Sequence, residues 1–95
     1  MPQSKPQPFR IAIPQEILDD LKARLSRARF PDEAPEEPWT YGTSVAYMRD
    51  IVAYWRDSYD WRKHEAALNA VPQFKVEIDG IDVHYMHVEG KGPKP

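Results

Sequence analysis

Apolar and polar residues alternate along this chain with two different periods. Ile17, Leu18, Leu21 and Leu25 recur at helical spacing behind Pro14, which suits the first turn of a helix because its missing N–H would be unpaired there anyway. Asp20 and Arg24 stand four apart on the polar side, acid first, as a helix favours. The pattern predicts a first helix over 15–28, ended by Phe30-Pro31. Val45, Met48, Ile51, Val52 and Trp55 form a second helical stripe, widened by Tyr47 and Tyr54, and Thr43 or Ser44 can cap it. This predicts a helix over 45–58 that is covered on more than one side. Asp60 caps a third helix over 61–70, which Pro72 keeps from running on.

After Pro72 the period changes to two. A two-residue Asp79-Gly80 loop suits a type I′ turn, which needs positive φ at both centres. That register pairs Ile78 with Ile81, Val76 with Val83 and Phe74 with Tyr85, all on one face. Gln73, Lys75, Glu77, Asp82, His84 and Met86 fall on the other, with Glu77 unfavourably opposite Asp82. A lone two-stranded hairpin is marginal in water, so its apolar face awaits helices, further strands or both.

Between the periodic segments lie stretches with no period. Residues 1–8 hold three prolines and read as a disordered arm. Phe9 to Ile13 alternates weakly, as a short extended segment would. Pro31 to Thr43 carries three prolines, a glycine and the aromatics Trp39 and Tyr41. It is too apolar for a free linker and reads as a docked meander, with Trp39 and Tyr41 as pins against Tyr47, Met48 and Ile51. The expected organisation is an arm over 1–8, a helical and meandering region over 9–71, a hairpin over 72–89 and a linker tail over 90–95. The fold class is α+β: a proline-rich meander, about three helices and a C-terminal β-hairpin.

Composition narrows the possible functions. Ninety-five residues allow one small domain at most. The formal charge is −2 with no basic block, which argues against nucleic acid as partner. Cysteine is absent, so no disulfide or thiolate metal site can form. No apolar run is long enough for a signal peptide or a membrane span.

Three residue groups invite a chemical reading. His64-Glu65 starts like a zincin motif, but Leu68 stands where the second helical histidine is needed. His84 and His87 are three apart in a strand, hence on opposite sides, and do not converge on a metal. Gly80-Ile81-Asp82-Val83-His84 resembles a nucleophile elbow up to its last position, where His84 replaces the required small residue and the stretch continues as strand. Asp82 is thus expected to face solvent. No catalytic, cofactor-binding or metal-binding residue, and no cofactor, is expected. The aromatics Trp39, Tyr41, Tyr47, Tyr54, Trp55, Tyr59 and Trp61 are dense; core packing is the preferred reading over a ligand- or partner-facing surface, although a core this small leaves part of the set for docking.

Taken in order, "FRIAIPQEILDDLKARLSRARFPDE", "WTYGTSVAYMRDIVAYWRDSYDWRKHEAALNAVPQF" and "VEIDGIDVHYMHVEG" resemble the N-terminal region of the microsomal-type epoxide hydrolases, over roughly Phe9 to Glu89. The resemblance implies a meander plus helices that wrap the catalytic domain and its lid. It also implies that the hairpin is the first two strands of an α/β-hydrolase sheet. The family's oxyanion-hole motif of the His-Gly-Trp-Pro type, its nucleophilic aspartate, lid tyrosines and water-activating histidine do not transfer to any residue here. Tyr41, Tyr47 and Tyr54 precede the sheet and do not match the lid pair. Membrane-bound members carry an anchor helix that this chain lacks, which implies a soluble, cytoplasmic member of bacterial type. The expected partners are the remainder of such an enzyme, with a small-molecule epoxide for the whole protein, no membrane, and a possible homodimer through the hairpin. A free-standing binding domain with an aromatic ligand- or partner-facing surface is the alternative.

Overall fold

A computed structural model describes residues 4–94. Its elements follow in the order β1 (Gln7–Pro8), α1 (Gln15–Ser26), α2 (Val45–Asp57), α3 (Trp61–Asn69), β2 (Gln73–Ile78) and β3 (Ile81–Met86). The chain divides into two packed units: residues 13–60, and a second made from the segment up to Ala12 together with Trp61 onward. That division cuts across the expected boundaries at 8/9 and 71/72. Segment 9–12 and α3 belong with the hairpin.

The helical unit is built from α1 and α2, which pack on each other. Pro14 sits at the N-cap rather than inside the first turn, with φ −57° and ψ 143°. Its carbonyl accepts from the N–H groups of Ile17 and Leu18. Leu18, Leu21 and Leu25 are half-buried, and the Asp20–Arg24 pair forms at 2.8 Å. α1 stops two residues short of the expected end because its last turn tightens: Arg27 and Ala28 donate to carbonyls only three residues back, Arg24 and Leu25.

α2 begins at a true cap, where the Ser44 hydroxyl accepts from the Tyr47 N–H at 3.2 Å and Ser44 itself is buried. A second orphan donor, the Val45 N–H, is taken by the Glu33 carboxylate at 2.9 Å across twelve residues of meander. Arg49, one turn further along, lies over the Phe30 ring at 4.9 Å. Trp39 tilts against Tyr47 with ring centroids 5.2 Å apart. These contacts tie the irregular segment to the first two turns of α2. Trp39 adopts φ +75°, a left-handed conformation rare for a bulky side chain. Tyr41 is 70% exposed and is not the second pin that its composition suggested. Nor is α2 covered on several sides, since none of its residues is buried.

In the other unit the strands form an antiparallel sheet of order β1-β2-β3. The hairpin register is the one the alternation dictates, Phe74↔Tyr85, Val76↔Val83 and Ile78↔Ile81, about a turn with φ +51° at Asp79 and +80° at Gly80. Glu77 does oppose Asp82, and Lys75 Nζ stands 3.7 Å from Asp82 Oδ2 to offset the repulsion. The arm expected to be disordered over 1–8 is a strand at its C-terminal end. Gln7 and Pro8 pair with Lys75 and Phe74, and the Phe9 N–H continues the ladder to the Gln73 carbonyl. Pro8 is tolerated because this strand lies at the sheet edge. Residues 1–3 of that arm lie outside the described residues.

α3 ends at Asn69, whose amide does the work of a neighbouring strand. Nδ2 donates to the Ile11 carbonyl and Oδ1 accepts the Ile11 N–H, both at 2.8 Å. Gln73 makes the other anchor and is 3% exposed. Its Nε2 donates to the Leu68 carbonyl at 2.6 Å, so its Oε1 is left to accept from His84 Nε2 at 2.8 Å. Phe9 meets the His84 ring edge-on, 4.8 Å between centroids, and lies under Lys75 Nζ. Of the hairpin's nominally polar face, Gln73 is buried and Lys75 half-buried, while Glu77, Asp82, His84 and Met86 stay exposed.

Candidate functional site

The groups that carry chemistry are kept apart. On α3, Glu65 is 9% exposed and committed, accepting from the Trp61 indole N–H at 3.2 Å and from Arg62 at 2.8 Å. His84 faces Gln73 and Phe9, whereas His87 stands 3.8 Å from Glu89. Asp82 lies in a regular strand opposite Glu77, with no strand-to-helix turn around it. Among the described residues no three His, Cys, Asp or Glu side chains come together in a way that could hold a metal ion. In the meander a shallow hollow of about 170 Å³ is lined by Pro31, Asp32, Glu37, Trp39, Tyr41 and neighbours. It is small for an organic substrate, since ligand clefts usually run from about 300 to 1,000 Å³.

What the structure offers instead is uncovered apolar surface. Among the described residues no hydrophobic side chain is buried. The accessible surface is 8411 Å². Part of the uncovered surface is on the hairpin. Ile78 (54%), Ile81 (67%) and Val83 (38%) are exposed on the apolar face, and Phe74, Val76 and Tyr85 are half-buried there. Phe74 and Tyr85 stack on each other at 5.6 Å. The strand order places β3 at the sheet's edge, so its outer backbone groups have no strand beside them.

The second exposed set lies in the helical unit. Trp39, Tyr41, Tyr47, Tyr54, Trp55 and Tyr59 all expose much of their rings, and of the seven aromatics only Trp61 is half-buried. Core packing, the preferred sequence reading, is corrected here: two helices of 12 and 13 residues offer too little facing surface to bury six large rings. Sequence reasoning also missed Asn69 and Gln73. Both lie next to element ends, where amides satisfy orphan backbone groups, and that position was the available signal.

The open sheet edge and apolar hairpin face of one unit, and the exposed rings of the other, are uncovered apolar surface. The epoxide hydrolase N-terminus family matches residues 6–95, and the chain belongs to that family. Epoxide hydrolase 1 of Oryctolagus cuniculus is 35% identical over 95 residues, covering 94% of this chain and 21% of its own length. Juvenile hormone epoxide hydrolase 2 of Ctenocephalides felis is 40% identical over 83 residues, covering 87% and 18%. The crystal structure of juvenile hormone epoxide hydrolase from the silkworm Bombyx mori superposes with a TM-score of 0.83 at 29% identity, over 96% of this chain and 24% of that one. The chain thus spans about a fifth of the length of these relatives, and it is their N-terminal domain, matching the start of an α/β-hydrolase. The free-standing binding domain is not favoured. Among the described residues no helix is long and apolar enough to cross a membrane.

Proposed function

We propose that this domain covers the catalytic and lid portions of an epoxide hydrolase and begins its sheet, and that it contributes no reacting group. The observation that carries the reading is the uncovered face and edge of the β2–β3 hairpin in a chain with no buried hydrophobic side chain among its described residues. Leaving large apolar side chains wet forgoes about 1.5–3 kcal/mol each, which a following strand and its helices would recover.

In the whole enzyme, a carboxylate supplied by the catalytic portion attacks an epoxide carbon. The C–O bond breaks and the oxygen leaves as an alkoxide that is protonated in place. Water then hydrolyses the aspartyl ester, releasing a vicinal diol and regenerating the carboxylate. The substrate is a small-molecule epoxide, and the enzyme works in the cytoplasm. A homodimer through the hairpin belongs to the same reading, because the surface that receives the catalytic portion is also open to a second copy.

The test is complementation. The portion of a relative's chain that lies beyond the matched region is expressed separately and mixed with this domain, with styrene oxide as substrate. Diol formation is expected only when both are present, and Asp82→Asn is expected to leave it unchanged. Diol produced by the domain alone, or a mixture no more active than its parts, would overturn the reading.

A further inference from the structure

We infer that Asp79-Gly80 is a site of spontaneous backbone isomerisation, through a cyclic imide to isoaspartate, and that the closed hairpin turn is the gate that holds this reaction back. The inference does not depend on the epoxide reaction, nor on which surfaces of the hairpin are covered.

The reacting groups are a carboxyl and the backbone nitrogen that follows it. The Gly80 nitrogen attacks Asp79 Cγ, and a carboxyl oxygen leaves as water with the amide proton. The product is a five-membered imide. Water then adds back at one of its two carbonyls, so no other reagent is needed. Opening at Cγ restores aspartate. Opening at the main-chain carbonyl leaves the chain running through Cβ, which is isoaspartate. Asp79 is the one aspartate in this sequence that precedes a glycine. Glycine carries no side chain to obstruct the attack, and a β-carbon at Gly80 would meet no atom within 4 Å. Ile78, Asp79, Gly80 and Ile81 are all exposed, so water has access to the loop. Ile78↔Ile81 is the last pair of the ladder, and the Gly80 N–H lies outside it.

The closed turn sets the two groups apart. φ is +51° at Asp79 and +80° at Gly80, the two left-handed residues that a type I′ turn needs. In that turn ψ of the first residue is about +30°. The imide ring requires the Gly80 nitrogen to eclipse Cβ about the Cα–C bond, which in an L-residue means ψ of about −120°. The turn therefore holds the nitrogen nearly opposite Cβ, about 150° of rotation from the reactive arrangement. Such a rotation swings the whole Asp79-Gly80 peptide out of the loop, and it cannot be made while Ile78 and Ile81 stay paired. The reaction proceeds from open hairpins.

The consequence runs one way. Isoaspartate adds a main-chain carbon to a two-residue loop whose backbone twist has to match that of its strands, so Ile78 and Ile81 do not regain their pairing geometry. Each opening of the hairpin thus carries a chance of trapping it open, and isoaspartate at position 79 records past openings.

The chain is held at neutral pH in buffer and across a urea series, beside a synthetic peptide spanning residues 75–83. Isoaspartate is measured by labelling with an isoaspartyl methyltransferase and located by peptide mapping. In concentrated urea it is expected at position 79 at the rate of the free peptide, and in buffer at least about tenfold more slowly. Between those limits the rate should follow hydrogen exchange of the β2–β3 amides. Gln73→Leu should raise the rate in buffer, whether it loosens the sheet unit or unfolds it. Asp79→Asn, which cyclises by the same route with loss of ammonia, should show the same slowing in buffer relative to urea. A chain that forms no isoaspartate at position 79 in urea overturns the site. A rate in buffer equal to that in urea overturns the gate, as does a rate that does not follow amide exchange.

Discussion

The two units hold themselves together in different ways. The polar bonds seen in the helical unit join residues near in sequence, such as Ser44 to Tyr47, Asp20 to Arg24 and Glu33 to Val45. The sheet unit relies on bonds between residues far apart. The Asn69 amide reaches Ile11 across 58 residues, and β1 joins a strand that starts 66 positions later than Gln7 does. Neither unit buries a hydrophobic side chain among its described residues. In both, directional polar bonds set the geometry while the apolar surface remains open.

If that contrast is right, the largest losses come from the long-range amides. Gln73→Leu removes the buried amide to which the Leu68 carbonyl and the exposed His84 ring bond, at a cost of about 1–3 kcal/mol. Asn69→Ala, which strips both Ile11 bonds, should cost about as much. Urea titration measures the cost, and amide exchange should show Ile11 losing protection in Asn69→Ala while the amides of α1 keep theirs. Equal loss in both units would mean that they do not open separately.

Gly80→Ala should come next. At φ +80° a β-carbon meets no neighbouring atom within 4 Å, so the penalty is conformational, about 1–2 kcal/mol. The shift in the urea midpoint gives its size, and it should fall on the β2–β3 amides. In the helical unit, Ser44→Ala removes a cap worth about 1 kcal/mol. It is expected to raise exchange at Tyr47 and to speed proteolysis near Trp39. A meander cut as fast in the unmodified chain as the first eight residues would show that Trp39 does not hold it.

The smallest effect belongs to Asp57. The side-chain hydrogen bond from Arg56, with the charge of that guanidinium behind it, holds the Asp57 carboxyl below its ordinary range, and Asp57 in turn raises Arg56. A lowered folded-state pKa contributes stability above the unfolded value of about 3.9 that is lost as pH falls through the folded value. Solvent reaches and screens both groups, so Asp57→Asn should leave the acid limb of a thermal-stability profile nearly unmoved.

The local pattern by itself determined a good deal. It placed three helices within two residues of their ends and the hairpin in its observed register. Helical period, a serine cap and an Asp-Gly turn act over four residues or fewer, so they need nothing from the rest of the chain. Its errors lie where distant partners decide. Gln7-Pro8 looks like disordered arm because proline and polar residues carry no strand signal, yet β2 offers it an edge. Gln73 and Lys75 look like a solvated face until Phe9 and the end of α3 are brought over them, while His84 beside them stays exposed. The aromatics of 39–59 look like core because large rings usually are. Only the tertiary structure shows that two short helices cannot enclose them, which leaves them exposed.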